Sequence, residues 1–134
     1  MSLGSDGNKK KVFSIRVFRS FVFAYEGIVS AIKKERNLKI HLVFAVVVII
    51  SGIIFSLSAL EWVAVVVAIG GMLALELLNT AIERAVDLVT DEFHPLAKQA
   101  KDAAAGAVLI YAVMSAIIGL IVFLPKIFSL IQRL

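Results

Sequence analysis

Three long apolar stretches alternate with short polar segments along this chain. They cover Leu42–Leu60, Trp62 to about Ile82, and Ala103–Leu124, and the first of them contains no charged residue. A helix of about 20 apolar residues is long enough to cross the hydrocarbon core of a bilayer. The pattern therefore predicts three membrane-spanning helices, at about 38–58, 61–90 and 96–124.

The polar segments predict where these helices begin and end. Ser56–Glu61 is short enough for a tight connection, and the exit of the second span, Asp87–Pro95, is polar. Pro95 is expected to open the third helix at its first turn, where a missing backbone N–H breaks no hydrogen bond. Pro125 is expected to end that helix, because an interior proline clashes with the preceding turn.

The N-terminal part of the chain has a different pattern. Between about 12 and 36, apolar residues such as Phe18, Phe21 and Tyr25 recur at helical spacing, with basic residues between them. This pattern is typical of an amphipathic helix that lies in the headgroup region of a membrane. Residues 1–11 lack periodicity and are predicted to be a disordered tail, of which the first five residues are typical of an expression tag.

Composition supports a membrane protein. The chain has 134 residues, of which 60% are hydrophobic, and its mean hydropathy is +0.97. A soluble domain of this size cannot hide so much apolar surface. We therefore expect one all-α integral-membrane domain over 12–134, made of a surface helix and three transmembrane helices. The absence of cysteine excludes disulfides and thiolate metal sites.

The distribution of Lys and Arg predicts the orientation in the membrane. Nine of the fourteen precede the first span, three lie between the second and third spans, and none lies between the first and second. By the positive-inside rule, the N-terminus and the second connection are cytoplasmic and the C-terminus is outside. We expect a multi-pass protein of the inner (cytoplasmic) membrane, with its polar candidate residues on the side that contains ATP.

Four polar residues form a stripe on the second span. Asn79, Glu83 and Asp87 follow Glu76 by three, seven and eleven residues, which places all four on one helix face. A charge at mid-bilayer costs at least about 2.5–3.5 kcal/mol, so such residues are usually functional. The stripe could hold a divalent cation and place a base beyond it. Structural pairing between helices is the alternative for Glu76 and Asn79, and proton or cation transport is another for the stripe as a whole.

Other polar residues have ordinary explanations on sequence alone. Glu35 can pair with the lysine four residues later, Arg16 can bind lipid headgroups, and His94 is typical of a loop. Lys101 and Asp102 open the third span, where snorkelling and complementation of the helix dipole would explain them. The chain contains neither a P-loop nor the glycine-rich and catalytic loops of protein kinases.

Several motifs nevertheless resemble one known family. Glu76–Glu83 reads E-L-L-N-T-A-I-E, and D-L-V-T-D, H-P-L-A-K-Q-A and K-D-A-A-A-G-A follow it. These motifs resemble those of the prokaryotic diacylglycerol kinases and their Gram-positive relatives, the undecaprenol kinases, which are small integral-membrane lipid kinases. The resemblance extends from about Phe13 to Pro125, which is nearly the whole chain.

The resemblance implies roles for the polar residues. It implies that Glu76 is the base that activates the lipid hydroxyl, and that Glu35 and Glu83 bind Mg²⁺. It implies nucleotide binding by Arg16, Glu35, Asn79, Glu83, Asp87, His94, Lys101 and Asp102. It further implies ATP as co-substrate, a lipid alcohol as acceptor, and a homotrimeric helical bundle with active sites shared between subunits. A nucleic-acid partner is not expected.

Four positions depart from the Gram-negative pattern around the membrane entry. Arginine, glutamate, glycine and a small hydroxyl residue tend to stand there in place of Lys39, His41, Lys98 and Ala105. Glu35–Asn37 and His94–Lys98 instead resemble the Gram-positive branch. The resemblance therefore implies undecaprenol as the acceptor and undecaprenyl phosphate, the carrier lipid of cell-wall synthesis, as the product. Diacylglycerol, which would give phosphatidic acid, is the alternative.

Overall fold

The computed structural model describes the backbone of residues 5–132 and the side chains of residues 16–132. Four helices follow one another along the chain, and no strand occurs within this described part. They are α1 (Ser5–Lys34), α2 (Arg36–Ile54), α3 (Ala59–Val89) and α4 (Pro95–Ile131). The last three are long and apolar enough to cross a membrane. The predicted all-α architecture, with one N-terminal helix and three spans, is confirmed.

The chain divides into two units, Met1–Lys34 and Glu35–Leu134. In the first unit, α1 begins at Ser5, earlier than the predicted residue 12, in keeping with the helix-forming lysines at 9–11 and the absence of proline. Residues 1–4 of the predicted tail lie outside the described residues. Phe18, Phe21 and Tyr25 of α1 are all more than 65% exposed, as the surface-helix prediction expects. The single domain expected over 12–134 stays a prediction.

In the second unit, α3 is the central helix. It packs against both α4 and α2. Of the residues in its most apolar stretch, 28% are buried, compared with 11% in α2 and 6% in α4. The helix that carries the acidic stripe therefore has the most protein around it, while the other two expose most of their apolar surface. Such exposure is expected where lipid or another subunit covers a helix.

A small apolar core lies at the end of the bundle away from Glu76. Leu57, Val65 and Val122 form its buried centre, and Trp62 packs against them. The connection beside this core is held by a capping box at the start of α3: Ser58 Oγ accepts from the backbone N–H of Glu61, and the Glu61 carboxylate accepts from the Ser58 N–H at 2.7 Å. The predicted tight connection is thus stabilised at its helix end.

A close approach between α3 and α4 depends on a glycine. The Tyr111 hydroxyl donates to the backbone oxygen of Val67 at 2.8 Å, and its ring lies against Gly71. A Cβ at Gly71 would lie only 2.0 Å from the Tyr111 oxygen, whereas a Cβ at Gly70 would meet nothing within 4 Å. The absence of a side chain at Gly71 therefore permits the hydrogen bond that joins the two helices.

The two prolines of the C-terminal part behave differently. Pro95 stands in the first turn of α4, as predicted, and His94 caps the helix by accepting the Leu96 N–H on its Nδ1 at 3.2 Å. The prediction that Pro125 ends the helix is wrong, because α4 continues through it to Ile131. Apolar spanning helices tolerate proline when neighbouring groups compensate for the lost bond.

The segment after Pro125 contributes an ion pair, Lys126 Nζ to the Glu61 carboxylate at 3.1 Å, which connects α4 to the start of α3.

We predict that Gly71→Ala lowers the free energy of unfolding in detergent by about 1–3 kcal/mol. The added methyl group displaces the Tyr111 ring and breaks its hydrogen bond, a change of the size typical of an overpacked core. Chemical unfolding followed by circular dichroism measures this difference.

Gly70→Ala is the matched control, since it makes the same change one residue earlier in open space. It should leave stability unchanged or raise it slightly, because alanine favours a helix more than glycine does. Equal stability for the two variants would contradict the role given to Gly71.

Candidate active site

Glu76 is buried in the middle of the α2–α3–α4 unit. Its exposure is 3%, and the neighbouring Asn79 and Thr80 of the same helix are 9% and 5% exposed. Within the described residues, its carboxylate forms neither a hydrogen bond nor an ion pair. The fully buried side-chain atoms without a partner belong to Asn79 and Ser115 and not to Glu76, so the Glu76 carboxylate keeps an opening to the space beside it. An acid at bilayer depth that has no partner and is still open to a small ligand is a candidate functional group. The structure therefore places the deepest acid of the stripe inside the protein, and not against lipid.

Asn79 lies between Glu76 and the next acid of the stripe on α3 and forms a hydrogen bond only with the latter. Its Nδ2 donates to Glu83 Oε1 at 2.9 Å, while its Oδ1 is buried and has no hydrogen-bond partner. A buried acceptor without a donor is rare in a folded protein and calls for an explanation. An oxygen of this kind, beside a carboxylate that is partly open to solvent, is what a hard cation or a donor on a ligand would fill.

Glu35 reaches the same region from another helix. It occupies the N-cap position of α2 but does not cap it with its side chain. Its Oε1 instead accepts from the guanidinium of Arg84 at 2.9 Å. Because Arg84 directly follows Glu83 along α3, this ion pair brings the start of α2 to the level of Glu83. The pairing of Arg84 with Glu35 was not predicted from the sequence, because 49 residues separate the two and no local spacing indicates their contact.

The predicted magnesium ligands are the carboxylates of Glu35 and Glu83. Within the described residues, no group of three acidic, histidine or cysteine side chains is arranged to hold a metal ion. Magnesium does not require such a group, because it usually takes one or two carboxylates together with water and substrate phosphates. Glu83, Glu35 and the free Asn79 oxygen are donors of the right chemistry. They fit the ion, and the assignment stays a prediction.

A second group of predicted residues meets where α3 ends and α4 begins. Lys101 pairs with Asp87 across the two helices, and Lys98 pairs with Asp102 along α4. His94 lies beside them at the N-cap of α4. These five residues line an open cleft of about 480 Å³, within the size range of small-molecule sites. The cleft combines two lysines with four acids, since Asp91 and Glu92 also line it. It is therefore acidic overall, and it suits a nucleotide only together with the cation that the nucleotide carries.

The position of Asp102 rules out one explanation for it. Since α4 begins at Pro95, Lys101 and Asp102 stand in its second and third turns, and not at its first. Complementation of the helix dipole acts within the first turn and does not explain Asp102.

Arg16 lies on α1, in the unit described separately, and is exposed. Its predicted role in nucleotide binding stays a prediction.

An apolar groove runs along the membrane side of Glu76. Its volume is about 320 Å³; α3 forms its floor, and α2 and α4 form its walls. Met72 and Leu73, one turn from Glu76, belong to the lining, whose polar members are His41 and Ser115. Glu76 is not itself part of this lining. Along α3 it follows the last lining residues by one turn and precedes the Asn79–Glu83 pair.

Comparison with known proteins gives one consistent result. The family model for prokaryotic diacylglycerol kinase matches residues 22–123. The undecaprenol kinase of Bacillus subtilis (strain 168) is 57% identical over 111 residues, which cover 83% of this chain and 90% of that protein. The diacylglycerol kinase of Synechocystis sp. is 41% identical over 112 residues, 83% of this chain and 64% of that protein. The diacylglycerol kinase of Helicobacter pylori (strain J99) is 34% identical over 95 residues, 71% of this chain and 74% of that protein.

The matched region begins in α1 and ends in α4, so it includes α2 and α3 in full, most of α4 and the polar residues of α3. The resemblance noted from the motifs is confirmed by a match over most of the chain. This multi-pass membrane protein belongs to the prokaryotic diacylglycerol kinase family, a family of lipid kinases.

Proposed function

We propose that this chain is an undecaprenol kinase, which transfers the γ-phosphoryl group of ATP to the primary hydroxyl of undecaprenol. One observation carries the proposal: Glu76, which has no partner among the described residues, lies one helical turn from the lining of an apolar groove and one turn from the Asn79–Glu83 pair. The 57% identity to a protein named undecaprenol kinase favours this acceptor over diacylglycerol. The product is undecaprenyl phosphate, with ADP as the second product.

The acceptor side of the reaction rests on Glu76. The lipid alcohol lies in the groove with its hydroxyl at the Glu76 carboxylate, and the carboxylate takes the hydroxyl proton as the oxygen attacks the γ-phosphorus. The bond between that phosphorus and the bridging oxygen of ADP breaks as the new bond forms. Because the attacking and leaving oxygens must be in line, positioning supplies much of the rate.

The nucleotide side rests on the polar residues towards the cytoplasmic end of α3. Glu83 and Glu35 would hold Mg²⁺, with the free Asn79 oxygen as a further donor. The ion would supply positive charge to offset the phosphate charge that develops during transfer. Lys101 contributes positive charge to the phosphates, and Asp87, His94 and Asp102 line the cleft beside it. Arg16 of α1 is assigned to the same nucleotide.

The membrane arrangement follows from charge and exposure. The clustering of Lys and Arg supports a cytoplasmic N-terminus, an outer C-terminus and a location in the inner membrane. The small buried share of α2 and α4 supports a homotrimer in which neighbouring subunits cover part of these helices. Active sites composed of residues from two subunits belong to the same proposal.

We predict that Glu76→Gln lowers kcat by at least about 100-fold, because the amide cannot accept the hydroxyl proton. Nucleotide affinity should stay within about twofold, since the amide keeps the size of the acid. Radiolabelled phosphate transfer measures kcat, and equilibrium binding of a fluorescent ATP analogue measures affinity. Activity within about tenfold of the unmodified protein would show that Glu76 is not the base.

We predict that Glu83→Ala weakens binding of Mg–ATP by about tenfold or more, because a carboxylate ligand is lost and Asn79 loses its partner. Titration of Mg–ATP in detergent without lipid measures the change. Glu26→Ala, which removes an exposed acid from α1, is the control and should leave binding unchanged. Equal affinities for the two variants would remove Glu83 from the metal site.

The choice of acceptor is tested by direct competition. Purified protein in mixed micelles is given ATP with undecaprenol, with diacylglycerol, or with both at equal mole fraction. We expect kcat/KM for undecaprenol to exceed that for diacylglycerol by at least about tenfold, a difference of 1.4 kcal/mol in transition-state binding. A preference for diacylglycerol would replace the proposed acceptor, and ATP consumption independent of either lipid would reject the lipid-kinase mechanism.

A further inference from the structure

We infer that Arg84 is a placeholder for the metal ion: its guanidinium binds the Glu35 carboxylate when no cation is bound there, and it leaves the carboxylate when a cation binds. The inference rests on the proposed function, because it takes Glu35 as a magnesium ligand. It concerns a residue that neither the motifs nor the geometry of the acidic stripe had assigned. In this view Arg84 is a positioning residue, which acts through Glu35 and not on the substrate.

The contact itself is suited to exchange. A single N–H···O bond of 2.9 Å joins Arg84 to one oxygen of Glu35, in place of the two parallel bonds that an arginine can form with a carboxylate. The two side chains are 42% and 30% exposed, so the pair is in contact with solvent. Ion pairs of this kind are weak, and a divalent cation competes with them effectively.

The position of Arg84 explains why a placeholder is needed. It follows Glu83 directly, and Glu83 accepts the hydrogen bond from Asn79. Without a cation, Glu35 and Glu83 place two negative charges at the same end of α3 beside a buried oxygen that has no donor. A guanidinium on Glu35 offsets part of this repulsion and holds the N-cap of α2 against α3 until the cation arrives.

The inference predicts that Arg84→Gln tightens cation binding in the absence of nucleotide. Mn²⁺ serves as the probe, and the free ion is counted by electron paramagnetic resonance on purified protein in detergent, without ATP or lipid. Removing the competing cation should lower the apparent Kd by about threefold to fivefold, the effect that a solvent-exposed ion pair can exert. Arg84→Lys keeps a positive charge and should stay within twofold of the unmodified protein.

Two further variants identify the route of the effect. In Glu35→Gln, adding Arg84→Gln should produce no further gain, because the competition acts on the Glu35 carboxylate. Lys126→Gln breaks another ion pair between a basic residue and a glutamate, at the other end of the bundle, and should leave the Kd unchanged. Both readings are binding measurements and do not depend on turnover.

The outcomes separate this inference from the proposed function. If Mn²⁺ binding depends on Glu35 but Arg84→Gln leaves it unchanged or weakens it, the placeholder is overturned and the metal site stands. If Glu35→Gln leaves Mn²⁺ binding unchanged, Glu35 is not a ligand and both assignments fail at that residue. If Arg84→Gln tightens binding equally with and without Glu35, the effect is general electrostatics and the placeholder is again rejected.

Discussion

The placement of an acid within an apolar spanning helix is the constraint on which the rest of this structure depends. A charge at bilayer depth is costly against acyl chains, so it must face protein, water or a ligand. The protein places Glu76 on α3, the helix with neighbours on both sides, where it is shielded from acyl chains. Helix α3 packs closely against α4, and the contact between Gly71 and the Tyr111 ring is an example.

The exposure of the polar stripe rises along α3 from Glu76 to Asp87. Glu76 and Asn79 are buried, Glu83 is partly exposed, and Asp87 lies at the open cleft near α4. The proposed reaction between a water-soluble nucleotide and a lipid needs a site that both substrates can reach. Helix α3 extends from the apolar groove to the charged cleft, and its rise per residue fixes the depth of each polar group along it.

The fold could be predicted largely from the sequence, whereas the site could be predicted only in part. The apolar runs predicted the three spans, because a helix that crosses a bilayer must meet requirements of length and composition and few others. The fate of Pro125 could not be foreseen, since tolerance of an interior proline depends on neighbours that the sequence does not name. The spacing from Glu76 to Asp87 predicted that the polar residues share one face of α3, but it could not predict that Glu35 contacts Arg84. Partners 49 residues apart are brought together by tertiary packing alone.

The apolar groove beside Glu76 has walls only on two sides, and it is far smaller than a long polyprenyl chain. Most of such a chain must remain dissolved in the surrounding bilayer while its alcohol end reacts. Encounter between enzyme and acceptor is then a two-dimensional process. Its rate is governed by the mole fraction of the alcohol among the lipids and by lateral diffusion, so diluting the membrane with inert lipid slows the enzyme even when the total amount of acceptor in the suspension is constant.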